Sequence, residues 1–174
     1  MVDAATPALR VEFARCARRH PDAGTRDEAR TQLVLAALGE RDPEQQVALV
    51  EQLYRTGELD EQRSVLRMLD RLPDPARFVA LAIEACRTNA VEVFAALAND
   101  NPYPARWLPD AALCQLVLKA IFIGVPIDRI VGLAARVDAE MLRMVEGYAS
   151  ERRAAGRPVP DDVAKVIALG KERT

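Results

Sequence analysis

Gln115 and Lys119 are two polar residues in an otherwise apolar stretch, and their spacing could bring them to one site. The stretch runs from Leu113 to Ile127, and a four-residue spacing puts both side chains on the same stripe of a helix. A buried ammonium group is costly unless oxygen atoms accept its protons, so an enclosed Lys119 would gather polar partners. We expect either a ligand site or a lysine that reaches water along its aliphatic stem or pairs with a carboxylate such as Glu151.

A second polar group falls near the end of a later predicted helix. Glu151 and Arg152 follow Tyr148 by three and four residues, which places the three side chains on one side of a helix. They could point into one cleft and bind a substrate, or they could form an ion-paired helix end before the next turn. Arg157, just past this helix, and Arg106, in an aromatic segment, add two cations that could meet a phosphate or a carboxylate.

The segment NDNPYPARWLPD, residues 99–110, concentrates prolines and aromatic residues in a chain that is only 5% aromatic. Its prolines predict a stiff, non-helical loop, and Tyr103 and Trp107 give that loop apolar bodies with polar tips. We expect the loop to cover the end of the apolar helix that follows, either as part of the core or as the lid of a ligand site. Together with Arg106, these two aromatic residues are candidates for recognition.

Several kinds of site are excluded by residue type. The chain has one histidine, His20, so a multi-histidine metal site is excluded and a Ser-His-Asp triad would depend on one turn residue. No Walker loop, dinucleotide-binding glycine pattern or H-E-x-x-H sequence is present, and we predict no cofactor and no metal. The three cysteines are far apart and form no C-x-x-C pair, which is typical of buried thiols in a reducing compartment.

Charge and hydropathy set limits on partners and location. The 24 basic and 26 acidic residues leave a net charge of -2, so no overall field attracts nucleic acid or an anionic membrane. The N-terminus does not have the pattern of a signal sequence, and the apolar stretch is too short for a transmembrane helix of roughly 20 residues. We therefore expect a cytoplasmic, soluble protein without a transmembrane segment.

The elements that must position these residues are predicted to be helices. Half of the residues are hydrophobic, mainly Ala, Leu and Val, and β-branched runs are scarce, so the predicted fold class is all-α. Prolines at the starts Pro7, Pro43 and Pro75 each introduce two helices, with a period of roughly 32 to 36 residues that is typical of α-solenoids. We predict a HEAT-like stack of helical hairpins over residues 1–100; an irregular bundle of hairpins would give the same spacing.

The C-terminal half, residues 101–174, is predicted to surround one apolar helix. That helix starts at Asp110, ends before Gly124, and carries apolar residues in nearly every direction, as in a helix buried on all sides. A longer helix is predicted from about Ala134 to Ala155. Its core stripe consists of Val137, Met141, Met144, Val145 and Tyr148. We expect both halves to belong to a single domain, residues 1–174.

Two segments of the C-terminal half resemble a known family. NPYPARWLPDAALCQLVLKAIFIGVPIDRIVGL, followed by YASERRAAGRPVP, is similar to the C-terminal signature of the EboA-domain family over about residues 101–160. Gln115 and Lys119 match that signature, whereas Cys114 stands where the family often has Asn. The N-terminal half is similar to the family only in its helical character.

The resemblance implies a bacterial protein from an operon that makes or exports a secondary metabolite. Because no self-sufficient catalytic constellation is present, the leading hypothesis is a non-catalytic accessory or scaffold protein. It would bind a protein partner or a small polar metabolite of the same pathway. Its recognition surface would combine Tyr103, Arg106 and Trp107 with Gln115 and Lys119.

Two alternatives stay open. The first is a small enzyme that acts on a sugar-like or phosphorylated intermediate through a pocket around Lys119 and Arg152, because burial near apolar walls shifts pKa values toward useful ranges. The second is a homodimer formed through the long helix, which requires Met141 and Met144 to be exposed.

Overall fold

The structure is all-helical over the residues that it describes. The computed structural model describes residues 7–39 and 41–171, where the chain forms ten α-helices joined by turns, some of them 3-10 turns, and no strand. The predicted all-α fold class is therefore confirmed. Within these two ranges, no helix combines the length and the apolar character that crossing a membrane requires.

The chain divides into two compact units, one ending at Leu97 and the other starting at Ala98. The helices that begin in the N-terminal unit are α1 (Pro7–Arg19), α2 (Ala23–Leu38), α3 (Pro43–Thr56), α4 (Leu59–Met68), α5 (Val79–Ala85) and α6 (Val91–Ala98). In this unit α1 packs on α2, α3 packs on α4, and α2 contacts α4. Two helical hairpins, α1 with α2 and α3 with α4, thus meet through their second helices.

Helices were predicted to start at Pro43 and at Pro75, and an α-helix starts only at Pro43. At α3, the Asp42 carboxylate accepts a hydrogen bond from the backbone nitrogen of Gln45 at 2.9 Å, and Pro43 occupies the first turn, where its missing amide hydrogen costs nothing. Pro75 instead begins the 3-10 turn Pro75–Phe78, which leads directly into α5.

A buried arginine joins three helices of the N-terminal unit. Arg30 in α2 is only 1% exposed, and its guanidinium donates hydrogen bonds to the Phe13 carbonyl at 3.1 Å and to the Ser64 hydroxyl at 2.8 Å. It also pairs with the Asp60 carboxylate at 2.8 Å and lies over the Phe13 ring, 4.9 Å from its centroid. Because a buried charge is tolerated only when it is paired and hydrogen-bonded, these contacts fix α2 against α1 and α4.

The C-terminal unit contains four further helices. They are α7 (Tyr103–Trp107), α8 (Asp110–Ile123), α9 (Ala139–Ala154) and α10 (Asp161–Lys171). Here α9 packs on both α8 and α10, and the 3-10 turn Ile127–Arg129 also contacts α8 and α10. The predicted ends of α8 are confirmed: it starts at Asp110 and stops at Gly124, whose φ of 75° is left-handed.

The predicted start of the long helix at about Ala134 is wrong. Residues Leu133–Arg136 form a 3-10 turn, and α9 begins only at Ala139. The reason is the cap at Asp138, whose carboxylate accepts a hydrogen bond from the backbone nitrogen of Met141 at 2.7 Å. Val137 is buried but precedes the helix.

The prediction of a non-helical loop between Asn99 and Asp110 is also wrong, because Tyr103–Trp107 forms the short helix α7. Its prolines lie at the cap and in the first turn, which are the positions where a helix tolerates proline. The Arg136 guanidinium holds this helix through hydrogen bonds to two of its neighbouring carbonyls, those of Ala105 and Leu108.

Helix α8 is buried on one side only, so the predicted enclosure on all sides is wrong. Its buried side chains are Leu113, Cys114, Leu116, Val117, Ala120 and Ile121. Gln115 is exposed, Lys119 is half-buried, and Phe122 is 68% exposed. These three share one stripe of the helix, because they are spaced three, four and seven residues apart. The predicted buried helix is therefore a helix with one open face.

Candidate ligand-binding groove

A groove of about 480 Å³ lies between the open face of α8 and one side of α9. The residues that line it are Gln115, Leu118, Lys119, Phe122, Arg143, Met144, Gly147, Tyr148 and Glu151. On each helix they recur at intervals of three or four residues, as expected for neighbouring faces of two packed helices. The groove combines apolar surface with one amide, one carboxylate and two cations.

A smaller cleft of about 330 Å³ adjoins this groove at the C-terminal end of α9. The residues that line the cleft are Phe122, Tyr148, Glu151, Arg152, Ala155 and Arg157. Phe122, Tyr148 and Glu151 also line the groove, so the two cavities share a wall. A ligand could therefore extend from one cavity into the other.

Six of the predicted site residues meet at these two cavities. Gln115 and Lys119 enter the groove from α8, and Tyr148 and Glu151 enter it from α9. The two remaining residues, Arg152 and Arg157, line the adjoining cleft. This arrangement follows from helical spacing within α8 and within α9, together with the packing of one helix on the other.

The other three predicted residues line neither cavity. Tyr103 is fully buried, and its backbone nitrogen donates to the Asn101 side chain at 3.0 Å, whereas Arg106 and Trp107 are exposed elsewhere. The physical reason is their place in the chain. Helix α7 precedes the N-terminal end of α8, and Lys119 lies nine residues beyond the start of α8, which is roughly 14 Å along the axis.

Two residues that shape the groove, Phe122 and Gly147, are not among the predicted site residues. Phe122 belongs to the helix that was predicted to be buried on all sides, but it is the most exposed of the large apolar side chains described. Gly147 lies in the middle of α9, and a Cβ atom there would meet nothing within 4 Å. The sequence could have indicated this position, because glycine destabilises the interior of a helix. An isolated glycine there often marks a place where a side chain would obstruct packing or function.

Polar groups at the shared wall keep hydrogen-bonding capacity. The Tyr148 hydroxyl is buried and has no hydrogen-bond partner among the described residues. The Glu151 carboxylate likewise makes no ion pair with any residue in the described part of the chain. Arg143, by contrast, is already paired with Glu140 at 2.6 Å. A ligand at the shared wall would therefore find a carboxylate able to form new hydrogen bonds, and a hydroxyl that could form one after a small side-chain movement.

The end of α9 positions the two arginines of the cleft. The backbone nitrogen of Arg157 donates to the Arg152 carbonyl at 2.9 Å, and that of Gly156 donates to the Arg153 carbonyl at 3.0 Å. This is a Schellman motif, and Gly156 takes its left-handed position with a φ of 64°. The Arg152 guanidinium lies 5.9 Å from the Tyr148 ring centroid. The turn thus brings both arginines to one end of the groove.

Metal and thiol chemistry have little support in the described residues. Across residues 7–39 and 41–171, no three His, Cys, Asp or Glu side chains come together as a metal site. Burial raises the pKa of the Cys16 thiol and of the Cys114 thiol, which keeps both protonated and weakly nucleophilic near neutral pH.

A cavity of about 530 Å³ in the N-terminal unit is larger but offers fewer polar groups for a ligand. The residues that line it include Arg10, Val11, Phe13, Leu53 and Glu61. The Glu61 carboxylate is already engaged, because it accepts a hydrogen bond from the backbone nitrogen of Glu58 at 2.8 Å and so caps α4. We therefore regard the groove of the C-terminal unit as the stronger candidate.

Comparison with known proteins identifies the family. A family model described as "Metabolite traffic protein EboA" matches residues 8–168. The match extends through the N-terminal half and contains every residue of the groove and the cleft. No curated protein and no solved structure matched the chain. Because the family model covers most of its length, the chain belongs to the EboA family of metabolite traffic proteins.

Proposed function

We propose that this EboA-family protein is a non-catalytic accessory protein that holds a small metabolite in the groove between α8 and α9. The observation that carries the proposal is the groove itself, about 480 Å³ in volume with apolar walls and a few polar groups. Binding sites for small molecules commonly have this size and this composition. The description of the family as metabolite traffic proteins supports the same reading.

Exposed apolar surface in the groove supplies a reason for a ligand to bind. Phe122 is 68% exposed, and it stands beside Leu118 and Met144, which are half-buried. Full burial of a phenylalanine side chain contributes roughly 1.5–3 kcal/mol, so a ligand that covers Phe122 would gain part of that free energy. Gln115, Tyr148 and Glu151 would then orient the ligand through hydrogen bonds.

The alternative function, a small enzyme that uses Lys119 and Arg152, has weaker support. Lys119 lines the groove and Arg152 lines the adjoining cleft, so they do not face one common cavity. Groups that act on the same reacting atom must lie within hydrogen-bond reach of it. Two adjoining cavities fit the two ends of one bound molecule better than they fit a single reaction centre.

We place this function in the cytoplasm of a bacterium, within a pathway that makes or exports a secondary metabolite. A protein partner from the same pathway would deliver or accept the metabolite. This setting follows from the family resemblance, and the absence of a membrane-crossing helix from the described residues is compatible with it.

Filling the groove tests the proposed function. Gly147→Phe would project a ring into the groove, because the space beside Gly147 is open. Small molecules released by denaturing the protein after purification from its source cells are measured by mass spectrometry. We expect a molecule that is retained by the wild type and whose retained amount falls at least about tenfold in Gly147→Phe, which requires binding to weaken by at least roughly 1.4 kcal/mol.

Two matched controls accompany this variant. Gly147→Ala adds only a methyl group, and Ser150→Phe adds the same ring at an exposed position of α9 that lines neither cavity. Both should retain the molecule. Equal retention by Gly147→Phe and the wild type, or no retained molecule in either, would contradict the proposal. If the wild type instead retained a protein that Gly147→Phe lost, the occupant of the groove would be a protein partner and not a small metabolite.

A further inference from the structure

We infer that the ligand of the groove is a small amphipathic anion, with an apolar body against Phe122 and a carboxylate or phosphate group at Arg152 and Arg157. This inference rests on the proposed function, since it names the chemical class of the molecule held in the groove. It goes further because it assigns the adjoining cleft to one end of that molecule.

Cations outnumber carboxylates around the two cavities. Arg152 and Arg157 line the cleft, and Lys119 and Arg143 line the groove, although each of these last two already has an interaction partner. Glu151 is the one carboxylate among the lining residues of the groove and the cleft. The cavities therefore carry a local positive excess on a chain whose net charge is -2. Such an excess attracts an anion and repels a cation.

The Arg152 guanidinium is held in a position from which it can bind an anion. Its Nε donates a hydrogen bond to the Pro158 carbonyl at 2.9 Å, and its plane lies near the Tyr148 ring. Its two terminal nitrogens have no hydrogen-bond or ion-pair partner in the described part of the chain. A guanidinium fixed through Nε in this way presents its terminal nitrogens as a fork, which matches two oxygens of a carboxylate or phosphate.

Arg157 and Tyr148 complete the anion end of the cleft. The Schellman motif places Arg157 beside Arg152, and the Arg157 guanidinium makes no ion pair with the described residues. The Tyr148 hydroxyl, buried without a partner, could donate a further hydrogen bond after a small side-chain movement. The negative charge of Glu151 repels an anion, so neutralising this side chain should strengthen anion binding.

The apolar side chains of the groove would hold the body of the ligand. Phe122 lines both the groove and the cleft, and Leu118 and Met144 continue the apolar surface away from the arginines. A molecule with its charge at the cleft would therefore lay its body along the groove. A free inorganic anion would leave this apolar surface uncovered and would bind more weakly.

Calorimetric titration with four probes tests the inference: octyl phosphate, octanoate, octanol and inorganic phosphate. At an ionic strength of about 10 mM, where the screening length is roughly 30 Å, charge effects are near their largest. We expect the two octyl anions to bind about tenfold more tightly than octanol. Octyl phosphate should also bind more tightly than inorganic phosphate, and its advantage over octanoate, or the reverse, shows which anion the cleft prefers.

Three variants of the full chain make the test specific. Arg157→Gln should weaken octyl phosphate binding about three- to tenfold and leave octanol binding unchanged. Glu151→Gln should strengthen octyl phosphate binding. Arg153→Gln removes the same charge from an exposed neighbouring arginine that lines neither cavity, and it should change little. A circular dichroism melt verifies that each variant is folded.

The outcomes separate this inference from the proposed function. If octanol bound as tightly as octyl phosphate and Gly147→Phe abolished that binding, the ligand would not need a negative charge. The groove would then remain a ligand site, but the inference of an anion would be wrong. If Arg157→Gln and Arg153→Gln weakened octyl phosphate binding equally, the effect of charge would be nonspecific, and the inference of an anion site at the cleft would be wrong. If inorganic phosphate bound as tightly as octyl phosphate, the inference that the ligand has an apolar body would be wrong. Binding of none of the octyl probes would overturn the inference alone, because the proposed function is decided by whether the wild type retains a metabolite that Gly147→Phe loses.

Discussion

At the scale of single residues, Arg30 carries the largest set of polar contacts described in the N-terminal unit. Arg30→Ala would leave Asp60 and Ser64 without a buried donor, so we expect the free energy of unfolding to fall by about 3–5 kcal/mol. Asp60 also pairs with Arg26 at 3.0 Å, which favours the lower end of that range. Arg30→Lys should recover only part of the loss, because an ammonium group lacks the planar fork. Urea denaturation followed by circular dichroism measures both changes.

The control for this prediction is a second arginine that faces the same carboxylate. The Arg63 guanidinium lies 3.8 Å from the Asp60 carboxylate, and both side chains are partly exposed. Pairs of this kind contribute little, so Arg63→Ala should change the free energy of unfolding by less than about 1 kcal/mol. Similar effects of Arg30→Ala and Arg63→Ala would show that burial of Arg30 does not matter for stability.

The candidate site was predictable where spacing along one helix decides the outcome. Gln115 with Lys119, and Tyr148 with Glu151, were paired by three- and four-residue spacing, and the structure brings each pair to the groove. Phe122 could not be distinguished from Ile121 in sequence, because both are large apolar residues of α8. Ile121 is 2% exposed and Phe122 is 68% exposed, a difference that depends on where α9 packs.

At the scale of secondary structure elements, Gly147 offers a stability prediction for α9. Gly147→Ala should raise the free energy of unfolding by about 0.5–1 kcal/mol, because alanine restricts the unfolded chain and the added methyl group meets no atom. Thermal unfolding followed by circular dichroism measures the change.

Gly124 provides the matched control for that prediction. A Cβ atom at Gly124 also meets nothing within 4 Å, but its φ of 75° is left-handed. Gly124→Ala should therefore destabilise the protein by roughly 1–2 kcal/mol from backbone strain alone. If both alanine variants shifted stability in the same direction, backbone conformation would not explain the difference.

The helices were predictable in kind, whereas some of their ends were not. The ends of α8 followed from Pro109 before it and Gly124 after it. The start of α9 was misplaced because apolar residues continue before Asp138, and periodicity alone does not reveal which polar residue acts as the cap. The prediction of a non-helical segment around α7 is wrong because proline interrupts a helix only in its interior, and the first turn tolerates it.

At the scale of the whole molecule, we predict one cooperative unfolding transition, as expected for a single domain over residues 1–174. Leu116→Ala removes a fully buried side chain of α8 and should lower the free energy of unfolding by about 2–5 kcal/mol. Differential scanning calorimetry should show a single transition at a lower temperature. A separate transition that keeps the wild-type temperature would show that the two compact units unfold independently.

Composition and periodicity predicted the fold class but not the assembly of helices. Few β-branched runs and frequent caps are enough to predict an all-α chain, and this is confirmed. A HEAT-like stack stays a prediction, because the period set by Pro7, Pro43 and Pro75 does not specify how hairpins stack. The homodimer through α9 loses one of its two expected contacts, since Met141 is 1% exposed and belongs to the core.

The bare position at Gly147 also makes the width of the groove adjustable at one place in the chain. Substituting alanine, valine, leucine and phenylalanine there in turn would narrow the passage in graded steps, while the opposite wall at Phe122 stays the same. The step at which a bound molecule is first expelled would measure that molecule's thickness. The size of the side chain at position 147 would therefore set the thickest ligand that the groove admits.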